Sequence, residues 1–520
     1  MTKAIDLAPP TLLRDKLAQL IFVRVGSNLP PIRKVEEDAG RVATLLKSCP
    51  VGGLLLFNGH WEQTPETLRR LQAESAYPLL VAADIERGVG QQLHGHSLFP
   101  HAMSFSSLGD DTEQIADRFA YLTAVIARAA GIHITLAPVA DISVDPKNPI
   151  ISTRSPGRDA QQVERFVTAY VAGCQRGGLL STAKHYPGHG NTHEDSHHTL
   201  PTVRSSRKEM DQTELVPFRA AMRAGVPLVM TAHVRYPGLD DCDKCATLSR
   251  RILVDLLRTE LGFRGVVVTD SLLMEGAKPA GTSEAELAVQ SLNAGVDVLL
   301  DLANPGETLA GMQQAVAAGR LAEDRVDEAV QRLWQLKRQI FCGERAKDGN
   351  ESVAESVRQA EGLASEVARR AITLVDGNSS RLPLNPAKRT CVLLIRHSSD
   401  VAGQEHPLGA VVRRHLTRCD YLEFDPNFGR EDCQETFERA SCAQQLLLAM
   451  IVKPAAWHKF WLTSEQIELL QRLAQLETCV LASLGTPEIL HEFETNAPKI
   501  CTFSDVPVSQ TALVHYLLET

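Results

Sequence analysis

The chain has 520 residues, more than one small core organises at ~150 residues per domain, so several domains are expected. Hydrophobic residues make up 44% and charged residues 22%, the balance of a globular protein, which excludes a disordered or fibrous chain. Lys+Arg 54 against Asp+Glu 63 leaves a formal charge of −9 without a basic run, so nucleic acid is excluded as a partner. No stretch of ~18 apolar residues is present to span a membrane.

In chain order, the N-terminal MTKAIDLAPPTLLRDKLAQLIFV carries Asp6, Arg14, Asp15 and Lys16 where a signal peptide needs an unbroken apolar region, so the expected location is the cytoplasm. The eleven cysteines are then read as reduced thiols, and the single C-x-x-C, Cys242 and Cys245, has no second pair at zinc-finger spacing. Up to about residue 345 one pattern repeats. Apolar runs at 17–25, 51–57, 79–85, 134–141, 179–186, 228–234, 265–272 and 296–302 read as eight strands. Helical stretches follow at 32–48, 64–75, 113–130, 160–176, 213–224, 249–261, 283–294 and 306–318, and several stop at a glycine such as Gly225 or Gly295. Near-continuous apolar strands alternating with helices predict a parallel sheet covered on its faces. Eight such units favour a closed (β/α)8 barrel, with an open doubly wound sheet as the alternative.

Residues 322–340 and 352–375 read as two amphipathic helices, and RLPLNPAKR (381–389) as a linker. Strand candidates then resume at 391–395, 445–452, 478–485 and 499–504, a smaller α/β domain. The expected organisation is a catalytic barrel over 1–345, a helical bridge and linker over 346–389, and a C-terminal α/β domain over 390–520.

A barrel of this kind places its chemistry at the C-terminal ends of the strands. Those ends carry Asp84 and Glu86, Asp141, Lys184 and His185, His233, Asp270 and Asp301. The loop PGHGNTHEDSHHTLP (187–201) adds His189, His193, His197 and His198. It can be read as a metal site, although Gly and Pro on both sides leave no helix to align the imidazoles. Read as an acid/base site, Asp195-Ser196-His197 puts a carboxylate where it orients a ring and raises its proton affinity. Asp270, ending a strongly apolar strand, suits a nucleophile toward an electrophilic carbon; its other reading is a helix N-cap.

At these residues the chain resembles glycoside hydrolase family 3, within it the β-N-acetylglucosaminidase branch. AKHYPGHGNTHEDSH (183–197) is similar to the family's K-H-[FY]-P-G-H-G followed by D-S-H. VVVTDSLLM (266–274) resembles the nucleophile segment, ISTRSPGRD (151–159) resembles R-S-F-G-x-D, and MTAHVRYPGLD (230–240) is also similar. The resemblance runs over most of 14–345, with a weaker echo at TFSDVPVSQ (502–510). It implies Asp270 as nucleophile, His197 as general acid/base assisted by Asp195, and Asp84, Arg154, Lys184 and His185 as holders of sugar hydroxyls. It also implies a small carbohydrate as substrate, no organic cofactor and no metal. Departures occur at Arg87, where the family has glycine, at Gln92, where it has a sugar-binding arginine, and at Pro156, where it has an aromatic residue.

The expected activity is retaining hydrolysis of terminal N-acetylglucosamine from cell-wall fragments. A glycoside phosphorylase and a non-catalytic sugar-binding protein are the alternatives. A histidine acid/base departs from the usual carboxylate pair, and a neutral or cationic group repels phosphate less than a carboxylate does.

Overall fold

Short apolar segments of the N-terminal region form parallel strands: β1 (Ile21–Val25), β2 (Gly53–Leu56), β3 (Leu80–Ala83), β4 (Ile134–Thr135), β5 (Thr182–Tyr186), β6 (Leu228–Thr231), β7 (Val266–Ser271) and β8 (Val298–Leu300). The structure is a computed structural model that describes residues 7–96, 98–192, 200–279, 281–342, 352–396, 406–424, 428–451 and 462–519. The strands lie in the order β4-β3-β2-β1-β8-β7-β6-β5. The two ends of this sheet meet: the Thr135 amide donates to the Leu180 carbonyl and the Thr182 amide to the Ala137 carbonyl, each at 2.8 Å. With helices between the strands, this is a (β/α)8 barrel.

Leu80 and Ala82, Leu228 and Met230, Val266 and Val268, and Val298 and Leu300 share one buried cluster, because residues two apart on a strand point to one face. Their intervening neighbours Val81, Val229, Val267 and Leu299 are buried too, which explains runs that are apolar without alternation. The helix Glu323–Cys342 contributes Leu333, Leu336 and Ile340 to the same cluster. Its Lys337 ammonium donates to the Pro78 carbonyl and to the Gln19 side chain, acceptors that just precede β3 and β1. That helix therefore closes the N-terminal end of the strands, and burial holds the Lys337 ammonium well below its ordinary pKa.

The expected first strand, 17–25, is corrected: Leu13–Gln19 is a helix and β1 begins at Ile21. Leu13, Leu17 and Leu20 recur at helical spacing and run into the strand without a break, so the apolar run alone hides the boundary. The glycine stops work as expected: Gly295 ends Glu284–Ala294 at φ 118°, a left-handed conformation most side chains avoid.

Two units divide the chain, one of residues 1–97, 113–144 and 157–360, the other of 98–112, 145–156 and 361–520. The second is built on a sheet of β9 (Thr373–Asp376), β10 (Thr390–Arg396), β11 (Cys419–Phe424), β12 (Gln445–Ile451), β13 (Cys479–Ser483) and β14 (Lys499–Cys501). Its order is β9-β14-β13-β12-β10-β11, and only the edge strand β9 is antiparallel to its neighbour. Cys391, Leu393 and Ile395 face one core and Val392 and Leu394 another, so both faces are covered. Met103, from the segment 98–112, joins the first of these cores. Residues 352–375, expected as one helix, divide into the helix Val353–Ala371 and β9. The strand β11 has no counterpart among the expected strands; CDYLEF is half-buried for most of its length and shows no apolar run.

Candidate active site

The strand ends of the barrel bring together residues far apart in sequence. Lys184, in β5, is buried, and its Nζ lies 2.7 Å from both Asp84 Oδ1 and Glu86 Oε1 beyond β3. Next to it, His185 Nδ1 is 2.7 Å from Oδ2 of the fully buried Asp141. Asp141 also accepts the backbone N–H groups of His185 and His189. Burial raises the Asp141 carboxyl, but His185 and His189 outweigh it and hold it below its ordinary value. An ionised carboxylate only accepts, so His185 Nδ1 carries a proton and Nε2 is the nitrogen left to face the site.

That Nε2 lies 3.9 Å from Asp270 Oδ2. Asp270 Oδ1 accepts the Ser271 backbone N–H at 2.7 Å, and the side chain keeps 23% of its surface open. Burial pushes the Asp270 carboxyl up; the His185 and His233 rings, the Ser271 amide and Lys184 overcome this and hold it below its ordinary value. The result is an ionised, oriented and partly accessible carboxylate at the end of β7. Such a group can attack an electrophilic carbon. The helix N-cap reading of Asp270 finds no support, since β7 runs on through Ser271 and its oxygen is engaged by the next amide.

Of the histidines in the loop after β5, His189 is buried, with Nδ1 3.0 Å from Thr192 Oγ1. Burial and the neighbouring His185 push its pKa down to about 4, so it is neutral at pH 7. The glycines of PGHG have a steric cause: a Cβ on Gly190 would stand 1.6 Å from the Ile142 carbonyl oxygen. The loop's two stems are both fastened to the chain after β6, where Tyr236 Oη donates to the Gly188 carbonyl at 2.8 Å and the Val203 amide to the Arg235 carbonyl at 2.9 Å. His193, Asp195, His197 and His198 lie outside the described residues.

Arg154 sits on the turn Ser152–Arg154, in a segment of the second unit, with Nη1 donating to the Ile150 carbonyl at 3.2 Å. Gln92 is buried; its side chain donates to the Asp84 carbonyl at 3.2 Å and accepts from Asn28 Nδ2 at 3.1 Å. The Arg87 amide donates to Gln91 Oε1. Cys242 and Cys245 are both free thiols. Among the described residues no group of three or more His, Cys, Asp or Glu is placed to hold a metal ion, and no helix is long and apolar enough to cross a membrane.

The sequence marks Asp141, His233 and Asp301 only as charged or titratable strand ends, and it passes over Arg24. A single arginine inside the apolar run LIFVRV was the available signal. In the structure Arg24 Nε meets Asp301 Oδ1 at 2.9 Å, and His233 Nε2 meets the Ser271 carbonyl at 3.2 Å.

Residues 12–336 match the glycosyl hydrolase family 3 N terminal domain. The chain is 28% identical over 428 residues to beta-hexosaminidase A of Pseudoalteromonas piscicida, covering 75% of this chain and 70% of that protein. It is 31% identical over 388 residues to a beta-N-acetylglucosaminidase/beta-glucosidase of Cellulomonas fimi, covering 72% and 68%. Among solved structures, a glycoside hydrolase family 3 beta-N-acetylglucosaminidase from Paenibacillus sp. str. FPU-7 is similar with a TM-score of 0.85 and 29% identity, over 98% of this chain and 97% of that one.

Proposed function

The chain belongs to glycosyl hydrolase family 3, and on that footing we propose that it is a retaining β-N-acetylhexosaminidase that releases terminal N-acetylglucosamine from cell-wall fragments. The observation that carries the reading is Asp270: one oxygen is held by the Ser271 amide and the other faces His185 Nε2, at the open end of the barrel. The similarity to a beta-N-acetylglucosaminidase/beta-glucosidase and to a solved beta-N-acetylglucosaminidase supports the choice of sugar.

In the first step Asp270 Oδ2 attacks the anomeric carbon. The glycosidic C–O bond breaks, its electron pair stays on the leaving oxygen, and that oxygen takes a proton from His197. In the second step a water oxygen attacks the same carbon, gives a proton to His197, and displaces the Asp270 carboxylate. Two inversions leave the configuration unchanged. Asp195 orients the His197 ring, while Lys184, Asp84 and His185 bind sugar hydroxyls.

The test combines three measurements on the intact protein. A panel of chromogenic β-glycosides should show hydrolysis of the N-acetylglucosaminide. The first-formed sugar should be the β-anomer. A fluorinated glycosyl donor that deglycosylates slowly should label the peptide holding Asp270. An α-anomer as first product, or a label on another carboxylate, overturns the mechanism. Sugar 1-phosphate formed in phosphate buffer would make the protein a phosphorylase instead.

A further inference from the structure

Ser271 follows the nucleophile of the proposed mechanism, and every polar group it has is engaged. Its amide donates to Asp270 Oδ1 at 2.7 Å. Its carbonyl lies 3.2 Å from His233 Nε2, whose other nitrogen is 2.8 Å from Thr247 Oγ1. Its hydroxyl is 2.7 Å from Asp301 Oδ2 and 3.3 Å from the Leu273 amide nitrogen. A carboxylate only accepts, so the Ser271 hydroxyl must donate to Asp301, which leaves its lone pairs for the Leu273 N–H.

Asp301 is anchored in turn. It is 1% exposed and follows β8 with φ 65°, in the left-handed region that non-glycine residues rarely adopt. Arg24 of β1 grips both of its oxygens, through Nε and Nη2, and the guanidinium also lies 4.5 Å over the Phe57 ring. The strands β1, β8 and β7 are consecutive in the sheet, so this chain of contacts crosses three strands to end at the nucleophile. A buried ion pair is a poor source of stability, because desolvation offsets its attraction. Strained backbone and a buried charge pair gathered at one strand end fit a positioning task better.

We propose that Arg24, Asp301 and Ser271 form a positioning relay that fixes the Asp270–Ser271 peptide, so that the Asp270 carboxylate presents Oδ2 for attack. None of the three touches the reacting atoms in this scheme. Without the anchored hydroxyl, the amide that holds Oδ1 loses its side-chain restraint and the carboxylate's attack geometry loosens, while the groups that bind the sugar are untouched. The inference rests on the reading of Asp270 as nucleophile.

The experiment uses the full chain as wild type, Ser271→Ala, Ser271→Thr, Asp301→Asn and the Ser271→Ala/Asp301→Asn double variant. Each is assayed for kcat and KM on a chromogenic β-N-acetylglucosaminide and for the rate of covalent trapping by the fluorinated donor. Ser271→Ala is expected to lower kcat and the trapping rate about 10- to 100-fold, with KM within about 3-fold. Ser271→Thr, which keeps the hydroxyl, should retain most of the rate. The double variant should be no more than about 3-fold below the worse single variant, because both break one relay.

A raised KM with kcat kept, a lowered Tm with full kcat, or single effects that multiply would each overturn the relay. If Asp301→Asn does not fold, Ser271→Ala and Ser271→Thr still decide. A label on Asp270 with kcat unchanged in Ser271→Ala defeats the relay alone; a label elsewhere defeats the nucleophile reading and the relay with it.

Discussion

His185 Nδ1 lies 2.7 Å from Asp141 Oδ2, and the same carboxylate takes the His189 amide at 2.7 Å on its other oxygen. One buried side chain thus fixes both the ring beside Asp270 and the backbone at the entry to the His-rich loop. Asp141→Asn replaces one accepting oxygen by an NH2, so either a backbone N–H loses its acceptor or the His185 ring must move its proton from Nδ1 to Nε2, toward Asp270. Either change disturbs the ring that faces Asp270 or the backbone beside it, so kcat/KM should fall roughly 10- to 100-fold. Steady-state kinetics on the variant, with a circular dichroism spectrum to show that it folds, check this; an unchanged kcat/KM refutes it.

Gly190 has no room for a side chain, since its Cβ would stand 1.6 Å from the Ile142 carbonyl oxygen. Gly190→Ala must therefore displace the backbone at Gly190 or at Ile142, next to Asp141. Activity should drop more than about 100-fold, as misplaced catalytic groups do, while the barrel keeps its cooperative unfolding. Equal activity in the variant would show that the loop's path does not matter to the chemistry.

A general acid matters most when the leaving group is basic. His197→Ala should cripple cleavage of natural glycosides and leave the first step on a dinitrophenyl glycoside far less affected. Deglycosylation then limits turnover, and azide, which needs no general base, should restore it to form the β-glycosyl azide. Equal damage on both substrates with no azide effect would make His197 a binding residue.

His133 is buried, with Nδ1 accepting the Val81 amide at 3.0 Å, and burial together with Arg128 pushes its pKa from 6.5 to about 3. His189 is pushed to about 4. Both are neutral in the folded chain and titrate near 6.5 when unfolded, so from pH 6.5 down to about 4 the unfolded state binds more protons. Stability is therefore full above pH 6.5 and falls as the pH drops, by about 1.4 kcal/mol per pH unit for each such histidine. Denaturant unfolding at pH 7, 6 and 5 should show that slope, and His133→Gln should make it shallower by about one proton. An unchanged slope in the variant counts against this account.

Local signals carried the barrel and the second α/β domain, and they marked which ionisable residues fall at the strand ends. Apolar runs bounded by glycine stops are set by backbone sterics and burial within a few residues, and the contiguous AKHYPGHG segment places Lys184, His185 and His189 on one strand end and its loop. Where two local signals merge, as helical Leu13, Leu17 and Leu20 run into β1, or where an edge strand such as β11 lacks an apolar run, the same reading fails.

Partnerships between strands were decided only by tertiary structure. Lys184 meets Asp84 across 100 residues, His185 meets Asp141 across 44, and Arg24 meets Asp301 across 277. Arg154, grouped with the barrel residues by its motif, belongs to a segment of the second unit. Each sequence window states which side chains sit at a strand end, but closure of the sheet sets β1 beside β8 and β4 beside β5. That closure turns isolated charges into hydrogen-bonded pairs, because a buried carboxylate or ammonium must find its counter-charge among whatever strands the barrel places next to it.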